Sequence, residues 1–214
     1  MPHVKPRLSA GRRGALAALV LGATLAAPDA RAQNDQRAPE FEQGLRLIEE
    51  GRYAEACAAF KQAEAAGKTV KTRFQLGRCH EAQGKYARAR GYFLEASQLA
   101  QAAGDKERAQ AAEARARDNE PKVAKLVVSV PSKHEAPGLA ITLDGVPFPR
   151  ELWNQVAIVD PGPHTLHVTA PGLSGWSHEI PNAPSGGDAV QVAVPPLVAP
   201  TPGPVLAPPT PDTA

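Results

Sequence analysis

The side chains able to do chemistry are few, and their spacing suits none of the familiar reactions. The chain of 214 residues holds six histidines. His164 and His167 are three apart in an alternating run, so on a strand they point to opposite faces and cannot easily share a metal. His80 falls on one helical stripe with Gly77 and Gly84, where packing accounts for it. His134, His178 and Asp188 stand in or near turns, and no spacing makes a ligand set of them. Ser132, Ser174, Ser177 and Ser185 are surrounded by turn residues without a base in register. There is no Gly-x-Ser-x-Gly elbow, no phosphate-binding glycine loop and no His-Glu-x-x-His. The chain therefore reads as a protein that is not an enzyme and carries no cofactor and no metal.

The elements behind these residues are better marked. Gly44, Gly51, Tyr53, Ala56, Phe60 and Ala63 recur 33 positions later as Gly77, Gly84, Tyr86, Ala89, Phe93 and Ala96. Small residues at fixed places let two helices approach, and the aromatics fill the space between them. Residues 38–120 are rich in helix formers and hold seven of the ten aromatic residues. The pattern predicts helices over 39–50, 53–66, 70–83, 86–103 and 106–118, broken at Gly51, Gly84 and Gly104. Asp105 is the expected N-cap of the fifth helix. That helix carries a small face of Ala109, Ala112 and Ala116 and turns its charges outward, as the cap of a short stack must.

Two repeats and one helix bury little apolar surface, and stable arrays usually need about three units. Cys57 lies as far before the 67–70 connection as Cys79 lies after it, to within a residue. On antiparallel neighbouring helices that register sets them side by side, as a disulfide requires. The alternative is a pair of small buried thiols.

After Asn119-Glu120-Pro121 the pattern changes. Short alternating runs at 126–130, 140–143, 156–159, 165–169, 176–180 and 190–194 are separated by Asp144-Gly145, Asp160-Pro161-Gly162 and Pro171-Gly172 turns. They predict a small antiparallel β-sandwich over 123–194. Trp153 and Trp176 are expected in its core. Residues 195–214 hold eight prolines and read as a disordered tail. The fold class is thus α + β in separate domains, a helical-hairpin repeat followed by the sandwich.

The first 32 residues have the pattern of a signal peptide. Lys5, Arg7, Arg12 and Arg13 precede an uncharged run of 14 residues from Gly14 to Ala27. Ala30-Arg31-Ala32 then offers a small-x-small cleavage site before Gln33. Spanning a bilayer takes about 20 apolar residues, so cleavage is expected rather than anchoring. Cleavage removes five basic residues and one acid, which turns a net charge of +2 into −2. The mature chain then gives no electrostatic reason to bind nucleic acid, and no reason to insert in a membrane. Export also places the cysteines where disulfides persist.

The 33-residue helical repeat resembles the tetratricopeptide repeat, a module that holds peptides and partner proteins. The resemblance implies that the first helix of each pair lines a groove, here Leu45, Ile48 and Glu49 in one copy and Phe74, Arg78 and Glu81 in the next. Arg78 would take a partner's carboxylate, with Phe74 and Leu45 supplying apolar contact. Leu143-Asp144-Gly145, the run from Asp160 to Val168 and Ala170-Pro171-Gly172 resemble the PEGA domain of bacterial envelope proteins. Leu173 stands where that family has tyrosine, and no Pro-Glu-Gly-Ala string follows the first strand. The order of the parts is similar to exported proteins of myxobacteria, where cysteines near these two helical positions also occur. The function implied is a non-catalytic scaffold of the cell envelope whose groove binds a protein or peptide. The alternatives are a wall-associated module in which the β-domain binds a cell-wall component, and a hydrolase of envelope polymers dependent on His134 or Asp188.

Overall fold

The computed structural model describes residues 38–65 and 67–200. The signal peptide and cleavage site expected before Gln33, and residues 201–214 of the proline-rich segment, lie outside them. Five helices form the N-terminal part: α1 (Ala38–Glu49), α2 (Tyr53–Ala63), α3 (Val70–Ala82), α4 (Tyr86–Ala102) and α5 (Lys106–Asn119). Gly51, Gly84 and Gly104 end the first, third and fourth helices with φ of 73°, 72° and 74°, a backbone setting that L side chains resist. The second helix stops at Ala63, three residues before the expected end, with Glu64 as its cap residue.

The internal repeat is a repeat of contacts. A Cβ on Gly44 would lie 2.5 Å from the Phe60 ring, and one on Gly77 would lie 2.6 Å from the Phe93 ring. Phe41 meets Phe60 at 5.4 Å between centroids, and Phe74 meets Phe93 at 5.2 Å. In each pair of helices a bare glycine admits an aromatic ring, and a second ring tilts against it. Cys57 and Cys79 are joined by a disulfide, with 5.7 Å between their Cα atoms, so α2 is pinned to α3. Asp105 caps α5 by accepting the Arg108 N–H at 3.0 Å, and Ala109, Ala112 and Ala116 are buried against α4.

The C-terminal part is built of β1 (Ala124–Ser129), β2 (Ala140–Leu143), β3 (Val146–Pro147), β4 (Val156–Val159), β5 (Gly162–Thr169), β6 (Trp176–Ala183) and β7 (Val190–Ala193). They form two sheets, ordered β4-β1-β7 and β3-β2-β5-β6. Alternate residues of both sheets, among them Leu126, Val128, Ile141, Leu166, Val168, Ile180 and Val192, share one buried cluster with Phe148 and Trp153. Trp176 is half-buried beside it.

Two details differ from expectation. Not every pairing is antiparallel, because β7 runs parallel to β1. The chain crosses from β6 in the other sheet and reaches the free edge of β1 from the opposite end, which permits that direction. The proline-rich segment also begins in contact with the β part: Leu197 packs on its core, and the Val198 carbonyl accepts the Ser174 N–H at 2.8 Å.

Candidate binding groove

The inner faces of α1, α3 and α5 enclose a cavity of about 410 Å³, lined by Phe41, Val70, Lys71, Phe74, Gln75, Arg108 and Ala111. Its floor is apolar, with Phe41 and Phe74 held at their angles by the rings behind them. Two cations flank it. Lys71, on α3, is exposed. Arg108 is tied to Asp105 at 3.0 Å but keeps 61% of its side-chain surface exposed. An apolar floor between two cations suits a large apolar side chain followed by a carboxylate.

Of the six groove residues expected from the sequence, only Phe74 lines this cavity. Leu45 and Ile48 are half-buried against the cluster of Leu47, Phe60 and Leu76, so they brace α1 rather than face a ligand. Glu49 is exposed at the far end of α1. Arg78 is exposed and donates to Gln75 Oε1 at 3.2 Å. Glu81 is engaged within the fold, where Arg115 pairs with it and Asn119 Nδ2 donates to Oε1 at 3.0 Å. The residues missed had a signal: Phe41 precedes Phe74 by the 33-residue period.

A larger depression of about 670 Å³ lies between α2 and α4 and is charged. There the buried Arg73 meets Glu64 at 2.8 Å and Glu95 at 3.0 Å, and its guanidinium lies 5.1 Å from the Tyr92 ring. The two glutamates answer Arg73, which ties α2, α3 and α4 together. His80 stacks flat on the Tyr92 ring, with centroids 5.2 Å apart. Burial, then the charges of Lys85 and Arg88, push His80 down to about 4, while Asp160 pulls weakly the other way.

The turns of the β part reach the helices. Asp160, just after β4, reaches across to the start of α4, where its Oδ1 accepts the Ala87 and Arg88 N–H groups at 2.9 and 3.0 Å. Its Oδ2 pairs with Arg88 Nε at 3.1 Å. The helix's own cap residue, Lys85, makes no such bond. His164 supports this turn, with Nε2 2.6 Å from the Asp160 carbonyl and Nδ1 2.7 Å from Asp144 Oδ2. Burial alone would raise the Asp144 carboxyl, but the Thr165 N–H, the His164 ring and Arg88 together hold it below its ordinary range. Below this turn, Ser185 Oγ donates to the Lys122 carbonyl at 2.6 Å and the Gly186 N–H donates to the Val123 carbonyl at 2.9 Å. Asp144, Asp160 and His164 are thus the joint between the two parts.

His167 is exposed, facing away from His164, and contacts Ser177. His134 Nδ1 lies 2.8 Å from the Val194 carbonyl. Among the described residues no helix is long and apolar enough to cross a membrane. Compared with known proteins, the chain matches no family model and no curated sequence.

Proposed function

We propose that the protein is a non-catalytic, exported scaffold of the bacterial cell envelope, with a tetratricopeptide-like helical part that binds a peptide segment of a partner and a PEGA-like β-sandwich that braces it. The observation that carries this reading is the cavity floored by Phe41, Val70, Phe74 and Ala111 between Lys71 and Arg108. The paired glycine–phenylalanine contacts repeated 33 residues apart support the tetratricopeptide-like assignment. The ligand is an extended peptide bearing one large apolar residue near an aspartate or glutamate. Fluorescence anisotropy of an array of such peptides against the mature protein tests it. Phe74→Ala and Lys71→Glu are each expected to weaken the best peptide about tenfold or more, as for a buried anchor and a charge reversal. Arg78→Glu, outside the cavity, is expected to change it little. Equal binding by wild type and both cavity variants ends the groove reading.

A second reading rests on the edges of the β part, where Val146, Val156 and Ile158 are 61%, 58% and 47% exposed. There the β-domain itself would hold a cell-wall component, and residues 123–198 would co-sediment with purified wall material without the helices.

A further inference from the structure

Cys57, Cys79 and His80 place two sulfurs and one imidazole nitrogen within 4.8 Å of one another. Tetrahedral coordination by these donors, with bonds of about 2.3 Å to sulfur and 2.0 Å to nitrogen, needs donor separations of roughly 3.5–3.8 Å. The Cα separation of 5.7 Å already suits two thiolates on one ion, so opening the sulfur pair asks for side-chain rotation and little backbone movement. Two further observations point to a ligand. His80 Nδ1 is buried and has no hydrogen-bond partner, which is a costly state for a ring nitrogen. The side chain of Gln83 stands over the same spot, its Nε2 3.1 Å from Cys57 Sγ and 3.2 Å from the Cys79 carbonyl. Its amide oxygen accepts from Lys85 Nζ at 2.9 Å, which leaves a water to complete a fourth position.

We propose that in the dithiol state Cys57, Cys79 and His80 form a binding site for a thiophilic d10 cation, zinc(II) or copper(I), so that the same two helices are pinned either by a disulfide or by a metal. Thiolates and imidazole are the donors such ions prefer. The newly made chain carries both cysteines as thiols, and metal entry at that stage displaces the two thiol protons. From the oxidised protein the site is reached by a dithiol reductant, which delivers two electrons to the sulfur–sulfur bond and closes its own disulfide, leaving two thiolates. Oxidation by a disulfide-carrying thiol oxidase reverses this and expels the ion. The metal form keeps α2 against α3, so the helical part has a staple in both redox states.

The test uses the full mature chain, reduced by a dithiol and freed of reductant without air. Cobalt(II), as a probe for zinc, is expected to give a thiolate-to-cobalt charge-transfer band at one equivalent, and the disulfide form to give none. Zinc(II) or copper(I) should then bleach it, and the ion that does so at the lower concentration identifies the preferred occupant. His80→Phe keeps a ring on Tyr92 and removes the nitrogen. Its affinity should fall by more than tenfold, since losing even outer-shell partners costs about 10–100-fold. X-ray absorption of the zinc-loaded wild type should show two sulfurs and an imidazole, a reading that needs no variant. Absence of the charge-transfer band, a sulfur-only shell, or equal affinity in His80→Phe overturns the proposal.

Discussion

Asp160→Ala isolates the joint between the two parts. The substitution removes one carboxylate, 9% exposed, that accepts two N–H groups in the first turn of α4 and pairs with Arg88. Losing a side-chain cap costs about 1 kcal/mol, within a range of about 0.5–2. The charge at a partly buried helix N-terminus adds about 0.3–1 kcal/mol. The pair with Arg88, whose side chain is 51% exposed, adds at most about 1 kcal/mol. These contributions share one group and overlap, so about 2 kcal/mol is expected, or a fall in the helical Tm of roughly 8–16 °C at about 4–8 °C per kcal/mol. The signals separate cleanly. Both tryptophans, Trp153 and Trp176, lie in the β part, while far-ultraviolet helicity reports the other. In the wild type the two transitions should coincide. In Asp160→Ala the helical one should move down and part from the tryptophan one. Asp160→Asn keeps a cap oxygen without the charge and should lose about half as much. A Tm change under about 2 °C in Asp160→Ala, or transitions that move together, refutes the account of the joint.

Gly77→Ala drives a methyl to within 2.6 Å of Phe93 and should cost about 1–3 kcal/mol in urea unfolding, whereas Gly91→Ala, with nothing within 4 Å, should gain about 0.5–1 kcal/mol. Reduction of the Cys57–Cys79 bond, which closes a 22-residue separation, should lower helical stability by up to about 3 kcal/mol in metal-free buffer and leave the tryptophan transition in place. Because Asp144 is held below its ordinary range, its contribution is complete above about pH 4 and disappears as pH falls through the folded value. Asp144→Asn should therefore flatten the acid limb of a Tm–pH series while lowering stability at neutral pH. Mass spectrometry of the secreted or periplasmic protein should find Gln33 at the N-terminus, and an intact Met1 in the membrane fraction would overturn export.

The helical boundaries were legible because local chemistry marks them: glycines with positive φ, the Asp105 cap, and a small-residue stripe repeated at 33. The disulfide was legible from register, since two antiparallel helices about a short connection leave few partners for Cys57. The joint was not. Asp160 and Ala87 are 73 residues apart, and a cap supplied from another part of the chain leaves no local pattern. One trace existed, in that α4 begins after Lys85 with no Ser, Thr, Asp or Asn at its cap, which left room for an acceptor from elsewhere. The groove was legible only at Phe74, for a similar reason. Glu81 shares the helix with Phe74, and nothing local showed that Arg115 and Asn119 on α5 would claim its carboxylate. The parallel edge of β7 depends on where a long excursion ends, which strand alternation does not encode.

The cap on α4 also sets an order of events. Synthesis delivers the chain from its N-terminus, so Ala87 and Arg88 appear 73 and 72 positions ahead of the carboxylate that completes their helix. Cys57 and Cys79 are neighbours long before that, and the first three helices can settle while the β part is still unmade. The fourth helix waits with two open N–H groups until the turn after β4 has closed on Asp144 and His164. The turn between β4 and β5 is therefore what completes a helix made long before it, and a chain cut short before residue 160 would leave the repeat unfinished at its inner end rather than merely shorter.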